Sequence, residues 1–223
     1  ARLSSGQLSG GAMQLSFPDL VDLPSETAMD LFQRSWSSIE FPRVSDVSLD
    51  TVWRMANRTR SLTLGIKTLP EEFADSLGRC PIDNERGDGW LKLPQLRTIT
   101  PTAAAKLVAS LNRGIDELRA RYGERVALPK VSLGEDYPRQ DDGYLVLSPE
   151  VARELARFEG NLYLQGLGDL ADETFVALAS FKGPNLNLSG PGVECLSVEG
   201  AEALASVPGV LRLPLRELES VPL

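Results

Sequence analysis

The strongest constraint on this chain is a phrase that recurs about eight times along its 223 residues. It reads Leu-x-Leu/Phe-x-x-Leu-x-x-Leu, then Ser/Pro/Thr-x-Glu-x-Ala-x-x-Leu. Anchored on the first Leu-x-Leu pair, the copies begin at Leu15, Ile39, Leu62, Leu91, Val126, Leu162, Leu186 and Leu211. The steps between starts are 24, 23, 29, 35, 36, 24 and 25 residues, so four agree closely and three are lengthened. A repeat of this length is one structural unit that cannot bury its apolar face alone, so the units must stack.

The second half keeps its spacing even where the first is interrupted. A Leu, Val or Ile is followed five residues later by Ala, Val or Phe, and three residues after that by Leu or Met. Leu23/Ala28/Leu31, Val47/Val52/Met55, Leu69/Ala74/Leu77 and Ile99/Ala104/Leu107 hold the offsets, as do Leu147/Ala152/Leu155, Leu170/Phe175/Leu178 and Leu196/Ala201/Leu204.

The Leu-x-Leu half alternates with period two, which is strand geometry with the apolar residues on one face. The second half opens with Ser, Thr, Pro or Asp before an acidic residue, as in LPSET, LPEE, LSPE, LADE and LSVEG. Ser or Asp can cap a helix, Pro fits its first turn, and Glu there suits the helix dipole. The Ala/Leu pair then faces inward from a helix of two or three turns, Ala being small so that the helix can approach the strands. Each copy is therefore expected to be one short strand and one short helix. Strands stack into a parallel sheet, helices form the opposite wall, and the wider helices make the strand side concave. Strand spacing near 4.8 Å makes eight such coils roughly 35 Å long.

On these motifs the chain resembles leucine-rich-repeat proteins, the irregular bacterial kind with 23–25-residue repeats and helical convex sides. The copy LNLSGPGVECLSVEGAEALAS is similar to their 24-residue repeats with a Gly-Ala-x-x-Leu-Ala helix. The resemblance covers nearly the whole chain. It implies an α/β fold, a right-handed solenoid of about seven or eight coils over residues 1–223. One departure is visible: the Asn that ladders between coils in that family is mostly missing, and Pro18, Pro42, Pro94 and Pro129 stand at the strand exits instead. Proline removes ladder donors, so short, irregular strands are expected.

Composition narrows the function classes. The net charge of −8 opposes a nucleic-acid partner, whose backbone would be repelled. Histidine is absent, which removes the commonest general base and metal ligand. The two cysteines, Cys80 and Cys195, lie about five coils apart, too far for a disulfide in a stacked array. Cys195 is expected in the core and Cys80 beside a loop. No apolar run is long enough to span a membrane, and none reads as a signal peptide, so no membrane insertion is expected. The compartment, cytoplasmic or secreted, is left open. Residues 3–12 read as the helical half of a coil without its strand, and residues 211–223 as a strand half without its helix. The expectation is a fragment of a longer protein, able to self-associate through uncapped ends; degenerate caps are the alternative.

Three interruptions cluster mid-chain, at about 79–90, 108–125 and 133–144. The first is a polar loop ending in Trp90. The second lengthens one helix, over residues 101–122, with Leu107, Leu111, Ile115 and Leu118 on one face. The third is acidic and aromatic. Insertions in repeat proteins map to loops on one rim and often carry binding. The first contains Arg86-Gly87-Asp88, which resembles an integrin-recognition tripeptide but is short enough to arise by chance. Neither Asp83, Glu85 and Asp88 nor Asp136, Asp141 and Asp142 match the alternating ligand spacing of a calcium loop.

The residues flanking the inward leucines line the strand face, the default interaction surface of such an array. They include Gln14, Ser16, Glu40, Thr63, Asn185 and Arg212. The candidate partner-binding residues are Trp90, Lys92, Arg125, Tyr163, Asn161 and Asn187, because Trp, Tyr and Arg anchor interfaces and most of these fall on consecutive middle coils. The alternative for Trp90 is packing beneath its own loop. No phosphate loop, nucleophile elbow or zinc spacing occurs, and the carboxylates recur at helix starts, at Glu26, Glu71, Glu150, Glu173 and Glu199. No cofactor or metal is expected. The expected function is non-catalytic binding of another protein through the concave face or the mid-chain rim. A structural spacer that stacks end to end is the alternative, and a carbohydrate-acting enzyme the third reading.

Overall fold

The repeat folds into units of strand and helix. The computed structural model describes residues 13–33, 35–80, 89–124, 126–135 and 143–214. Eight strands carry the leucine pairs: β1 (Gln14–Ser16), β2 (Trp36–Phe41), β3 (Thr59–Leu64), β5 (Trp90–Leu93), β7 (Lys130–Leu133), β8 (Asn161–Leu164), β9 (Asn185–Leu188) and β10 (Val210–Arg212). They form one parallel sheet in chain order, β1-β2-β3-β5-β7-β8-β9-β10. The sheet is open and does not curl closed, since β1 and β10 lie at opposite ends of the order. Two short strands, β4 (Thr68–Leu69) and β6 (Thr98–Ile99), pair separately, and isolated bridges join Asp22 to Asp46 and Leu145 to Leu167. These mark a second line of contact, where the chain turns from strand to helix.

The register lines residues into rows across the sheet. Leu15, Ile39, Leu62, Leu91, Val131, Leu162, Leu186 and Leu211 form one inward row. Phe41, Leu64, Leu93, Leu133, Leu164 and Leu188 lie in the next, and all six are fully buried. Each fully buried Leu contributes about 1.5–3 kcal/mol before chain entropy is subtracted.

Seven of the expected anchors sit where the ladder puts them, and one does not. The fifth strand pairs Val131 with Leu91 and Leu133 with Leu93, five residues beyond the expected Val126. Val-Ala-Leu and Val-Ser-Leu alternate equally well, so periodicity alone did not separate them. The ladder to Leu91 and Leu93 decides it, and Pro129, which has no N–H to give a central ladder, precedes β7, its carbonyl accepting from the Asn161 N–H. Pro129 therefore stands at a strand entrance rather than an exit.

The helices are α1 (Ser25–Leu31), α2 (Leu49–Arg58), α3 (Glu71–Arg79), α4 (Pro101–Tyr122), α5 (Pro149–Leu155), α6 (Asp172–Leu178), α7 (Pro191–Glu194) and α8 (Val198–Leu204). Ser48, Thr100, Ser148 and Ser197 cap α2, α4, α5 and α8 by accepting a backbone N–H three residues on. In LPEE and LADE the N-cap is instead Pro70 or Ala171, without a side-chain bond. Glu150 lies in the first turn of α5, where its own backbone N–H and the Ser148 hydroxyl hold its carboxyl below the usual range.

The lengthened helix is α4, whose Leu107, Leu111, Ile115 and Leu118 are all buried. Its second half grips the segment ahead of β8. Asn112 donates to the Arg157 carbonyl at 2.8 Å and accepts from the Glu159 N–H at 3.1 Å, while Arg119 reaches the Glu159 carboxylate at 2.6 Å. The cysteines reverse their expected places: Cys80 is fully buried against β3, its thiol bonded to the Thr59 carbonyl, and Cys195 is exposed. Cys195 ends the short α7 instead of occupying an inward helix position.

Candidate functional site: the outward face of the sheet

Period-two geometry turns every residue between the buried leucines to the other side of the sheet. Two outward rows result. One runs Gln14, Ser38, Ser61, Trp90, Lys130, Asn161, Asn185, Val210. The other runs Ser16, Glu40, Thr63, Lys92, Ser132, Tyr163, Asn187, Arg212. Apart from Ser132 and Asn161, these residues are exposed or half-buried.

The middle of the face is a cluster of aromatic rings and cations. Trp90 on β5 and Tyr163 on β8 stack with ring centroids 5.2 Å apart and planes at 30°. Strand β7 lies between them and supplies Ser132, which is buried and donates its hydroxyl to the Gln165 side-chain oxygen at 2.7 Å. A small residue there lets the two rings meet over it. The Lys92 and Lys130 ammonium groups lie 4.8 Å and 5.0 Å from the centroid of the Trp90 ring. Such a stack contributes about 0.5–1.5 kcal/mol beyond burial and each cation–π contact about 0.5–1 kcal/mol, which offsets part of the entropy lost in ordering the four side chains.

Toward β1 the cluster opens into a shallow polar groove of about 280 Å³ bounded by Ser38, Glu40, Ser61, Thr63, Trp90 and Lys92 among others. Glu40 accepts hydroxyl hydrogen bonds from Ser16 at 3.4 Å and Ser38 at 3.2 Å. The groove therefore ends in a carboxylate, whereas the aromatic cluster is cationic.

Of the expected partner-binding residues, Trp90, Lys92 and Tyr163 come together, and Asn187 is Tyr163's register neighbour on β9. Asn161 belongs elsewhere. It is buried, donates to the Leu128 carbonyl at 3.1 Å and accepts from the Asn185 amide, so its side chain is engaged at the strand entrances. Arg125 lies outside the described residues, as do Arg86-Gly87-Asp88 and most of the acidic interruption. Lys130 is not legible from periodicity, which starts the fifth strand at Val126. Once Pro129 is placed before the strand, Lys130 follows as Trp90's neighbour.

A second cavity, of about 290 Å³, lies between α2, α3 and α4 and is lined by Arg79, Arg113, Arg121 and Glu117 among others. Asp75 offsets two of those arginines, at 3.1 Å from Arg79 and 3.9 Å from Arg113. Among the described residues no cluster of three or more potential metal ligands occurs, and no helix is long and apolar enough to cross a membrane. The sequence matches no protein-family model and no curated protein.

Proposed function

We propose that this chain is a protein-binding module of the leucine-rich-repeat type, a solenoid that engages a partner protein through the strand side of its coils. One observation carries the reading: the stacked Trp90–Tyr163 pair, flanked by Lys92 and Lys130, on a sheet face that no described helix covers. Buried aromatic pairs usually serve the core, but this one is half-exposed and preassembled. Preassembly lowers the entropy lost on binding, which is why rigid aromatic residues recur as interface anchors. The fit to the family rests on repeat length, the Leu-x-Leu strands and the strict chain order of the sheet.

Affinity capture from the native source tests this reading, with the wild type beside a Trp90→Ala/Tyr163→Ala variant of unchanged far-ultraviolet circular dichroism. The captured protein is then purified and titrated against both. Loss of the aromatic pair should weaken binding by about 2 kcal/mol or more, roughly thirtyfold. Equal affinity for the two forms would remove the face from the function. Recovery of the chain alone would favour a self-stacking spacer.

A further inference from the structure

We infer that the partner presents an acidic, extended peptide segment to this face, with its carboxylates seated over Lys92 and Lys130. The inference rests on the reading of the face as the docking surface. Its independent support is charge. The chain as a whole carries −8, yet the two outward rows of the sheet hold three bases, Lys92, Lys130 and Arg212, against one acid, Glu40. The two rows are thus net positive on an acidic molecule.

The two central lysines are also uncompensated. Among the described residues Arg43, Arg54, Arg79, Lys106, Arg113, Arg119 and Arg157 each sit within 4.0 Å of a carboxylate, whereas Arg58, Arg60, Lys67 and Arg153 do not. Lys92 and Lys130 form no ion pair among the described residues; their ammonium groups share the Trp90 ring instead. Held on one ring, the two groups lie within about 10 Å of each other and repel, and a carboxylate that approaches both outweighs that repulsion with two attractions.

The rest of the face sets the form and direction of the segment. The half-exposed Trp90–Tyr163 stack offers apolar contact beside the two ammonium groups. Ser38, Ser61 and Thr63 line the groove toward β2 with hydroxyls that can bond a peptide backbone. Glu40, two strands from β5, repels further carboxylates about 10 Å from Lys92. The acidic residues therefore lie from β5 onward toward β10, where Arg212 extends the positive charge, and the β2 end takes neutral or basic residues.

The test pans the full chain against a random peptide display library at low ionic strength, with the Trp90→Ala/Tyr163→Ala form as counter-selection. A fluorescein-labelled peptide of alternating Glu and Gly, its Lys–Gly counterpart and a sulfated polysaccharide are then titrated by anisotropy. The expected result is Trp90-dependent enrichment of acidic peptides and binding of the Glu–Gly probe that falls steeply with salt. Lys92→Gln/Lys130→Gln should weaken that probe at least tenfold, whereas Arg58→Gln/Arg153→Gln, the same charge removed from helices, should leave it unchanged. Enriched peptides that depend on Trp90 but show no acidic bias would overturn this inference and leave the docking face standing. No Trp90-dependent peptides at all would overturn both. Binding of the polysaccharide without the acidic peptide, or equal losses in the two charge variants, would likewise overturn it.

Discussion

Gly78 of α3 faces Ser110 of α4 so closely that a Cβ on the glycine would lie 2.6 Å from the serine Cβ. The Ser110 hydroxyl spans the same contact, donating to the Asp75 carbonyl at 2.9 Å. Gly78→Ala gains about 1 kcal/mol of helix propensity but overpacks a rigid contact, which costs about 1–3 kcal/mol. The expected outcome in urea denaturation is a net loss of about 1 kcal/mol. Adding Ser110→Gly should recover part of it, since contacting residues couple.

Asn161→Ala should destabilise the chain by about 1–2 kcal/mol, because it leaves the Leu128 carbonyl and the Asn185 amide without their partner. The same change should leave the Trp90–Tyr163 near-ultraviolet circular-dichroism signal in place. Loss of that signal would mean that strand entrances and outward rings form one unit.

The two cysteines should separate cleanly in a thiol-labelling experiment. Cys195 is exposed and should react at once, while Cys80 should react only as fast as the protein unfolds. Burial pushes the Cys80 thiol far above its ordinary pKa, so raising the pH within the folded range adds no thiolate there. Rapid double labelling of the native chain would contradict the placement of α3 against β3.

Thr174, in the first turn of α6, buries a hydroxyl that finds no hydrogen-bond partner among the described residues. Thr174→Val keeps the shape and removes the stranded oxygen. Melting should show a stability between unchanged and about 1 kcal/mol higher. A clear loss would reveal a bound water or a partner for the oxygen.

Much of this architecture was legible because two periods, two and three to four, alternate at fixed offsets. Leu91, Leu162 and Leu186 could be placed as inward strand residues without any knowledge of their neighbours. Helix α4 was legible for the same reason, its Leu107, Leu111, Ile115 and Leu118 sharing one face. What escaped depended on pairing. Val126 and Val131 both begin an alternating run, and only the ladder to Leu91 chooses between them. Lys130 was lost with that choice. The stack of Trp90 on Tyr163 needs two registers and a small Ser132 between them, which no local pattern encodes. The swapped cysteines turn on which residue ends a helix, the feature least fixed by periodicity.

Because each inner strand of the main sheet lies between its predecessor and its successor along the chain, every pairing in that sheet joins neighbouring units. A whole unit could be duplicated or lost without rethreading anything. The result would be a longer or shorter molecule of unaltered topology, and the aromatic cluster would travel with the three strands that build it.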